Sequence, residues 1–387
     1  MTTMLEISCR DPIVCRDGRP FGSGQGNRMR SLGWPLPSVM AGSLRSTLGK
    51  SANREFSIAT AQDLLQVEVA GLFPLAEGQM YLPAPQDCVV HHDQGPLRAT
   101  PRPIEQAGCD WPLMGLQPVG LTEAQAPNDF KPEEAPAWWP AEHYAAWLVG
   151  NDIAFNDRFL RAPEIEDRTH VQLDPGVGAA EDGNLFTTAA LPLSHLPRHG
   201  VRAEGTHSSR FAVIALAARV RADGRCGEAV AKLDTLHPLG GERRLVHWKA
   251  TAETSAWPCP QPVRAALASA SRIRMVLVTP AVFGGGWKPG WMNEELVGTP
   301  PGANVTLRLV GVSIQRWRAV SGWSLADLPG QPRGPKPVKR LVPSGGVYFF
   351  EAVDGKASGL ADRWLESVSD DEQDRRDGFG LAVWGVW

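Results

Sequence analysis

The sequence predicts an α+β chain, compatible with two sheets of the β-α-β-β-α-β kind. Three observations predict it. Strand-length apolar runs interleave with single helices in both halves. Turn formers are abundant, 40 Gly and 33 Pro, which favours many short elements over long helices. The 387 residues, 43% of them hydrophobic, are enough for two domains. No internal repeat shows. The 14 Trp against 3 Tyr have no compositional explanation.

A strand is expected over 4–9, where Leu5, Ile7 and Cys9 alternate with Met4, Glu6 and Ser8. A polar, glycine-rich loop, 16–28, follows. Next comes a helix with Ser38 as N-cap, Met40, Leu44 and Leu48 as apolar face, and Gly49 as its stop. Residues 65–73 and 80–82 read as strands interrupted by Pro74 and Gly78. From 83 to 140 the chain is proline-punctuated and too long for an ordinary loop, so it reads as an insertion. A helix is expected over 141–149. Strands are expected over 167–173 and 185–190, around a turn at Asp182-Gly183-Asn184. Residues 191–206 read as the domain boundary. The second half restarts with a strand over 211–221, ended by Asp223-Gly224, and continues with a strand over 243–248 and a helix over 262–270. Strands follow over 273–278, 305–314 and 347–352, then a helix over 360–368 and a last strand over 379–386.

Charge and cysteine use exclude several classes. A net charge of −3 rules out a uniformly basic coat, so any nucleic-acid site must be a local patch. The six cysteines form no C-x-x-C pair, which argues against a zinc ribbon or a thioredoxin motif. Residues 1–10 lack an apolar signal-peptide core, and no stretch approaches the ~20 apolar residues of a membrane span. The expectation is a soluble, cytoplasmic protein with reduced thiols and no membrane partner.

The catalytic candidates are weak. Gly49-Lys50-Ser51 resembles the end of a P-loop, but position 44 is Leu44 and the motif ends a helix rather than starting one. Gly22-Ser23-Gly24-Gln25-Gly26 matches no dinucleotide or nucleophile motif; it is either an anion-binding loop or a plain surface loop. His91-His92-Asp93 has the residue types of a metal-dependent phosphohydrolase but sits at a strand end and turn. His237, beside the turn 239–244, is the best general acid-base candidate, with a structural histidine as the plainer reading. Asp370-Asp371-Glu372 reads as a solvated charge run.

Two basic patches stand out. Between Arg308 and Arg340 lie seven basic residues (Arg308, Arg316, Arg318, Arg333, Lys336, Lys339 and Arg340), against Asp327 alone, with Trp317 and Trp323 interleaved. Residues 10–45 carry six arginines against Asp11 and Asp17. Guanidinium forks pair with phosphate and aromatic rings stack unpaired bases.

Taken in order, several segments resemble one family. They are Asp17-Gly18-Arg19-Pro20-Phe21, Ala41-Gly42-Ser43-Leu44-Arg45, Tyr81-Leu82-Pro83-Ala84-Pro85-Gln86-Asp87, Glu166-Asp167-Arg168 and Asp182-Gly183-Asn184-Leu185-Phe186. In the second half they are Leu239-Gly240-Gly241-Glu242-Arg243-Arg244, Thr279-Pro280-Ala281 leading to Gly286-Trp287, Pro343-Ser344-Gly345-Gly346-Val347-Tyr348-Phe349-Phe350-Glu351 and Gly378-Phe379-Gly380. Each is weak alone; their order is specific. The chain resembles the third-subunit family of the type III-B CRISPR (Cmr) module, in the RAMP superfamily.

The resemblance implies two ferredoxin-like (RRM-like) domains, 1–200 with the insertion at about 83–140, and 207–387. It implies a non-catalytic subunit in antiviral defence, without cofactor or metal. This subunit would bind the repeat-derived 5′ tag of the guide RNA, with target RNA nearby. Its protein partners would be the large polymerase-cyclase subunit and the first backbone subunit. Gly22, Gly24, Gly26, Gly345, Gly346, Gly378 and Gly380 match the superfamily's RNA-facing glycines. The RNA-binding set expected here comprises Phe21, those first five glycines, Asn27, Arg28, Arg30, Ser38, Ser43, Arg45, Arg243, Arg244, Trp287, Lys288, Lys336, Lys339 and Arg340. Arg45 is equally readable as a buried structural arginine. The rival functions are a metal-independent endoribonuclease of repeat RNA using His237, and an adaptor that binds protein only.

Overall fold

The computed structural model describes residues 1–387 apart from 18, 20, 22–26, 52–57, 105–114, 123, 126–129, 202–209, 253–256, 325, 326 and 328–331. It is a mixed α/β structure, mostly strand. The first sheet contains β1 (Thr2–Cys9), β2 (Glu68–Ala76), β3 (Gln79–Pro83), β4 (Trp138–Pro140), β5 (Ala215–Arg221), β6 (Asp234–Pro238) and β7 (Leu245–Thr251), in the order β6-β7-β1-β5-β2-β3-β4. Every neighbouring pair is antiparallel. Helices α1 (Pro37–Ser51), α2 (Ile58–Leu65), α3 (Ala141–Leu148) and α4 (Gly224–Ala231) accompany it.

The second sheet contains β8 (Arg272–Leu277), β9 (Val297–Gly298), β10 (Val305–Ser313), β11 (Val347–Gly355), β12 (Glu366–Ser367) and β13 (Leu381–Val386), in the order β9-β10-β11-β8-β13-β12. It too is antiparallel throughout. Helices α5 (Gln261–Leu267) and α6 (Glu372–Asp377) belong to this half.

Strand alternation explains how the layers meet. On β1, Leu5, Ile7 and Cys9 pack with Met40, Leu44 and Leu48 of α1, the face the periodicity predicts. Met4, on the other face, joins Phe73, Met80 and Leu82 in a core shared with β8, β10, β11, β13 and α3. The two sheets therefore bury one common interior. Trp139, Trp147 and Trp384 lie in it and Trp248 in the α1-side core, all nearly inaccessible, which accounts for part of the tryptophan excess.

Several local expectations change. The strand expected over 211–221 to open the second half splits into Phe211–Val213 and β5, and β5 lies directly beside β1. The chain leaves the first sheet only after Thr251. A central β1 needs a ladder partner on each side, and β5 and β7 supply them from more than 200 residues away; no local pattern carries that pairing. β2 runs on through Pro74, which sits opposite Leu216. The strands Glu166–Leu173 and Ala180–Ala190 pair as a hairpin, but Asp182-Gly183-Asn184 lies inside the second strand. The reversal is at Asp174, whose Oδ1 accepts the Gly176 amide at 2.6 Å while its carbonyl accepts the Gly178 amide at 2.8 Å. Ser38 does not cap α1: Pro37 opens the helix and the Leu36 carbonyl takes the Val39 amide. Gly49 lies within α1 rather than stopping it. Residues 360–368 form a 3₁₀ turn (Ala357–Arg363) and then β12, not one helix.

Three arginines are buried among the described residues, and each crosses from one sheet's half of the chain to the other. Arg274 on β8, fully inaccessible, pairs with the equally buried Asp87 of the insertion. Its other terminal nitrogen donates to the Trp147 carbonyl at 2.6 Å, and Trp147 Nε1 returns a bond to Asp87 at 2.9 Å. Arg45 on α1 donates to the carbonyls of Leu64 and Val67, both at 2.9 Å, and to Asp377 of α6 at 2.6 Å. Arg219 on β5 reaches the Leu365 carbonyl at 2.9 Å and Glu366 of β12 at 3.0 Å.

Removing one member of the Asp87–Arg274 pair leaves an uncompensated buried charge. Asp87→Ala or Arg274→Met is expected to cost about 3–5 kcal/mol, and the double variant less than the two costs combined. Denaturant melts of the four forms check this; additive losses would show that the pair is not coupled.

Candidate nucleic-acid interface

The exposed cations fall into two groups. The first lies where the chain leaves β1. Ile13 exchanges backbone bonds with Leu191, and the Val14 carbonyl accepts the Gly241 amide at 2.7 Å. The following loop folds back on itself: Leu32 donates to the Cys15 carbonyl at 2.7 Å and Asp17 to that of Arg30 at 3.1 Å. Asn27 and Arg28 then run parallel to Phe186 and Thr187 of the hairpin. Val14, Met29 and Ala190 form a small satellite core, with Phe21 packed on it and edge-on to Phe186. Phe21 thus anchors the loop rather than presenting a free ring. Arg16, Arg28 and Arg30 remain exposed around this core, with Arg28 in an ion pair with Asp167. Gly22, Gly24 and Gly26 lie outside the described residues.

The turn 239–244 docks beside this loop. Gly240 has φ +76°, and a Cβ there would stand 2.6 Å from the Val14 carbonyl oxygen, so glycine is required. The turn presents Arg243 to solvent and leaves Arg244 half-buried. The first group therefore unites Arg16, Arg28, Arg30 and Arg243, from segments more than 200 residues apart.

Other expected RNA contacts are committed elsewhere. Arg45 spends its donors inside the fold, so the structural reading of this arginine holds. Ser43 Oγ donates to the Pro238 carbonyl. Ser38, half-buried, sits in the first turn of α1, and Pro37 at that end lies against Gly378. Gly345 and Gly346 are buried: the Gly345 carbonyl accepts the Gln86 amide at 2.8 Å, and a Cβ at Gly345 would stand 2.4 Å from the Ala84 carbonyl oxygen. A Cβ at Gly378 would meet the Val69 carbonyl oxygen at 2.5 Å, and one at Gly380 the Ser369 hydroxyl at 2.4 Å. At Gly345, Gly378 and Gly380 the missing Cβ makes room for the chain's own backbone or a serine hydroxyl.

The glycine-rich loop 284–290 already holds an anion. Gly284 and Gly290 donate their amides to the two oxygens of Asp370, at 2.7 and 2.8 Å. Asp370 therefore closes this loop and is no free surface charge; Asp371 accepts the Asp374 amide at 3.0 Å and caps α6. The Trp287 carbonyl accepts the Tyr348 hydroxyl at 2.7 Å, and Lys288 Nζ donates to the Asn293 carbonyl at 3.2 Å. The D-x-x-D spacing before α6, with Gly378 at its end, is the signal that distinguishes a capped helix from a charge run.

The second group sits on a small three-stranded sheet, Ala281–Val282, Lys339–Val342 and Arg318–Val320. Lys339 Nζ is held by both oxygens of Asp374, at 2.6 and 2.7 Å. Burial pushes the Asp374 carboxyl up, and Lys339 offsets part of that rise. Lys336 is half-buried against Gly322, while Arg340 is exposed and lies 5.0 Å from the centre of the Trp317 ring.

His237 is half-buried beside the turn. Its Nε2 is buried without a partner, and Nδ1 faces the Pro238 carbonyl at 3.3 Å. His91, His92 and Asp93 are the one metal-type cluster found among the described residues. There, His91 Nδ1 accepts the amides of Asp93 and Gln94 at 3.2 and 3.3 Å, so its lone pair serves the turn.

Burial lowers the proton affinity of His143, His199 and His237 below the ordinary imidazole value. The unfolded chain then binds more protons than the folded one just below about pH 6.5, so stability is full above that pH and falls as pH drops through it. Thermal melts at about pH 7.5 and about pH 5.5 should show a lower Tm in acid. Replacing the three histidines with glutamine should shrink the difference; an undiminished acid loss would assign it to other groups.

No curated protein matches the chain. Among solved structures, a chain of the type III-B Cmr-beta complex bound to cognate target RNA and AMPPnP is similar at 11% identity, covering 89% of this chain and 86% of that one, with a TM-score of 0.46. A chain of the same complex bound to cognate target RNA gives 13% identity, 89% and 86% coverage and a TM-score of 0.45. A chain of the Csm3-Csm4 subcomplex of a type III-A CRISPR-Cas interference complex gives 8% identity, 92% and 94% coverage and a TM-score of 0.36. The decisive match is to a family rather than to a structure: the profile described as CRISPR-associated protein (Cas_Cmr3) spans residues 5–387, from the middle of β1 to the last residue. Sharing that profile along nearly its whole length, the chain belongs to the CRISPR-associated Cas_Cmr3 family.

Proposed function

We propose that this protein is a non-catalytic subunit of a type III-B effector that holds the 5′ tag of the guide RNA on the surface formed by the loop after β1 and the turn 239–244. The observation that carries the reading is the convergence of Arg16, Arg30 and Arg243, all exposed, with Arg28 at the rim, on backbone pinned by the Val14–Gly241 bond. Guanidinium forks carried on adjoining backbone segments can pair with phosphates. The large polymerase-cyclase subunit and the first backbone subunit are the protein partners in this reading, with target RNA close by.

Strand order supports two ferredoxin-like units. In the first sheet, β7-β1-β5-β2 has α1 connecting β1 to β2 and α4 after β5. In the second, β13-β8-β11-β10 repeats that order, with the segment 278–304, which carries β9, in place of the first helix. Among the described residues no helix is long and apolar enough to cross a membrane.

Reconstituting the complex with Arg28→Ala, Arg30→Ala and Arg243→Ala together tests the reading. Guide-RNA retention should fall, and the dependence of log K on log salt should flatten by about 0.7 for each phosphate left without its arginine. Arg225→Ala, on α4, serves as the exposed control. Retention and salt dependence equal to the control in a folded triple variant would move the tag to another surface.

A further inference from the structure

The second cationic group has a construction the first lacks. Trp317 and Trp323 are 49% and 62% exposed, large apolar areas to leave in water. Register places Ala319 opposite Arg340, so Trp317, Ala319 and Arg340 share one face of the small sheet. The other face carries Leu341, buried, and Lys339, tied to Asp374. The sheet is thus fixed to the body on one side and offers a flat indole–guanidinium surface on the other. Trp323 extends it from a two-stranded ladder with Gly334–Pro335. Arg316, Arg318 and Arg333 are exposed and have no carboxylate partner among the described residues.

We propose that this arm, residues 316–324 and 332–340, is a second RNA site: a stacking platform for an unpaired, sequence-independent stretch of strand. A base can stack on the free face of Trp323, or on the Arg340 plane that already lies over Trp317. Arg318 alternates onto the Leu341 side of the small sheet, so Arg316 and Arg333, which lie outside that ladder, are the unpartnered arginines left to meet the phosphates. Charge selects this occupant. From 316 to 340, five cations (Arg316, Arg318, Arg333, Lys336 and Arg340) stand outside any ion pair among the described residues, against Asp327, while Lys339 is taken by Asp374, so a polyanion with π-faces satisfies both the rings and the charges. The site stands apart from the tag reading, because it needs no repeat sequence.

The test uses the full chain and a fluorescein-labelled oligouridylate that contains no repeat sequence. By anisotropy, Trp317→Ala combined with Trp323→Ala should weaken binding about tenfold or more at unchanged Tm. Trp317→Phe combined with Trp323→Phe, which keeps both π-faces, should restore most of it. Arg340→Lys keeps the charge and loses the plane; it should weaken affinity while leaving the salt dependence in place. Unchanged affinity in the double alanine variant overturns the proposal. So does a double alanine variant that binds oligouridylate normally but no longer enters the reconstituted complex, which would make the arm a protein-docking surface. Arg28→Ala, Arg30→Ala and Arg243→Ala should leave oligouridylate binding at the arm intact, so the two sites fail separately.

Discussion

The fold depends on three arginines buried between its two halves. Two sheets share one apolar interior, and apolar packing alone is not directional enough to fix how they sit against each other. Arg45, Arg219 and Arg274 supply the direction. Each extends from one half of the chain and finishes on a carboxylate of the other, and Arg45 and Arg219 also engage backbone carbonyls there or nearby. Burial of such a charge is unfavourable unless its donors are met, so misaligned packing would strand them. The insertion is held the same way. Asp87 pairs with Arg274, and Arg98 lays its guanidinium over the Trp147 ring, 4.0 Å from its centre.

The glycines serve the same end. In a chain read as an RNA binder, pairs such as Gly345-Gly346 look like loops that approach phosphates. Here Gly345 lets the chain lie against the insertion, and Gly378 lets the end of α6 lie against β2. The loop 284–290 shows how far this goes. Its amides converge as an anion site would, and the chain fills that site with its own Asp370. A glycine-rich loop therefore binds an anion in this protein, but an internal one.

What can be read from the sequence follows from the range of each interaction. The apolar face of α1, the alternation of β1 and the strands β8, β10, β11 and β13 rest on neighbours a few residues apart, and they lie where periodicity puts them. Sheet membership rests on pairings across more than 200 residues, and so local pattern puts β5 and β7 in the wrong half. The hairpin turn is misplaced by local pattern because two turn signals compete, and Asp174-Pro175-Gly176 prevails over Asp182-Gly183-Asn184. Arg45 and Arg28 look alike as letters. Only the fold shows that one is enclosed by carbonyls and Asp377 while the other reaches water.

Net charge is then a poor guide to what the surface attracts. The carboxylates of Asp87, Glu366, Asp374 and Asp377 are each spent on a cation of the chain, so part of the acidic total and a matching part of the basic total cancel locally. Screening limits the rest to about 8 Å at physiological salt, which makes the field at any point a property of its immediate neighbours. Near the loop after β1 those neighbours include the acidic hairpin, with Asp167 against Arg28 and Glu166 against Arg168. Within the arm's own sequence Asp327 is the single acid, and Asp374 from outside it is taken up by Lys339. A polyanion approaching this weakly acidic protein therefore meets opposing fields at the loop and a nearly uncompensated one at the arm. The same arithmetic that excludes a basic coat concentrates attraction where carboxylates are absent.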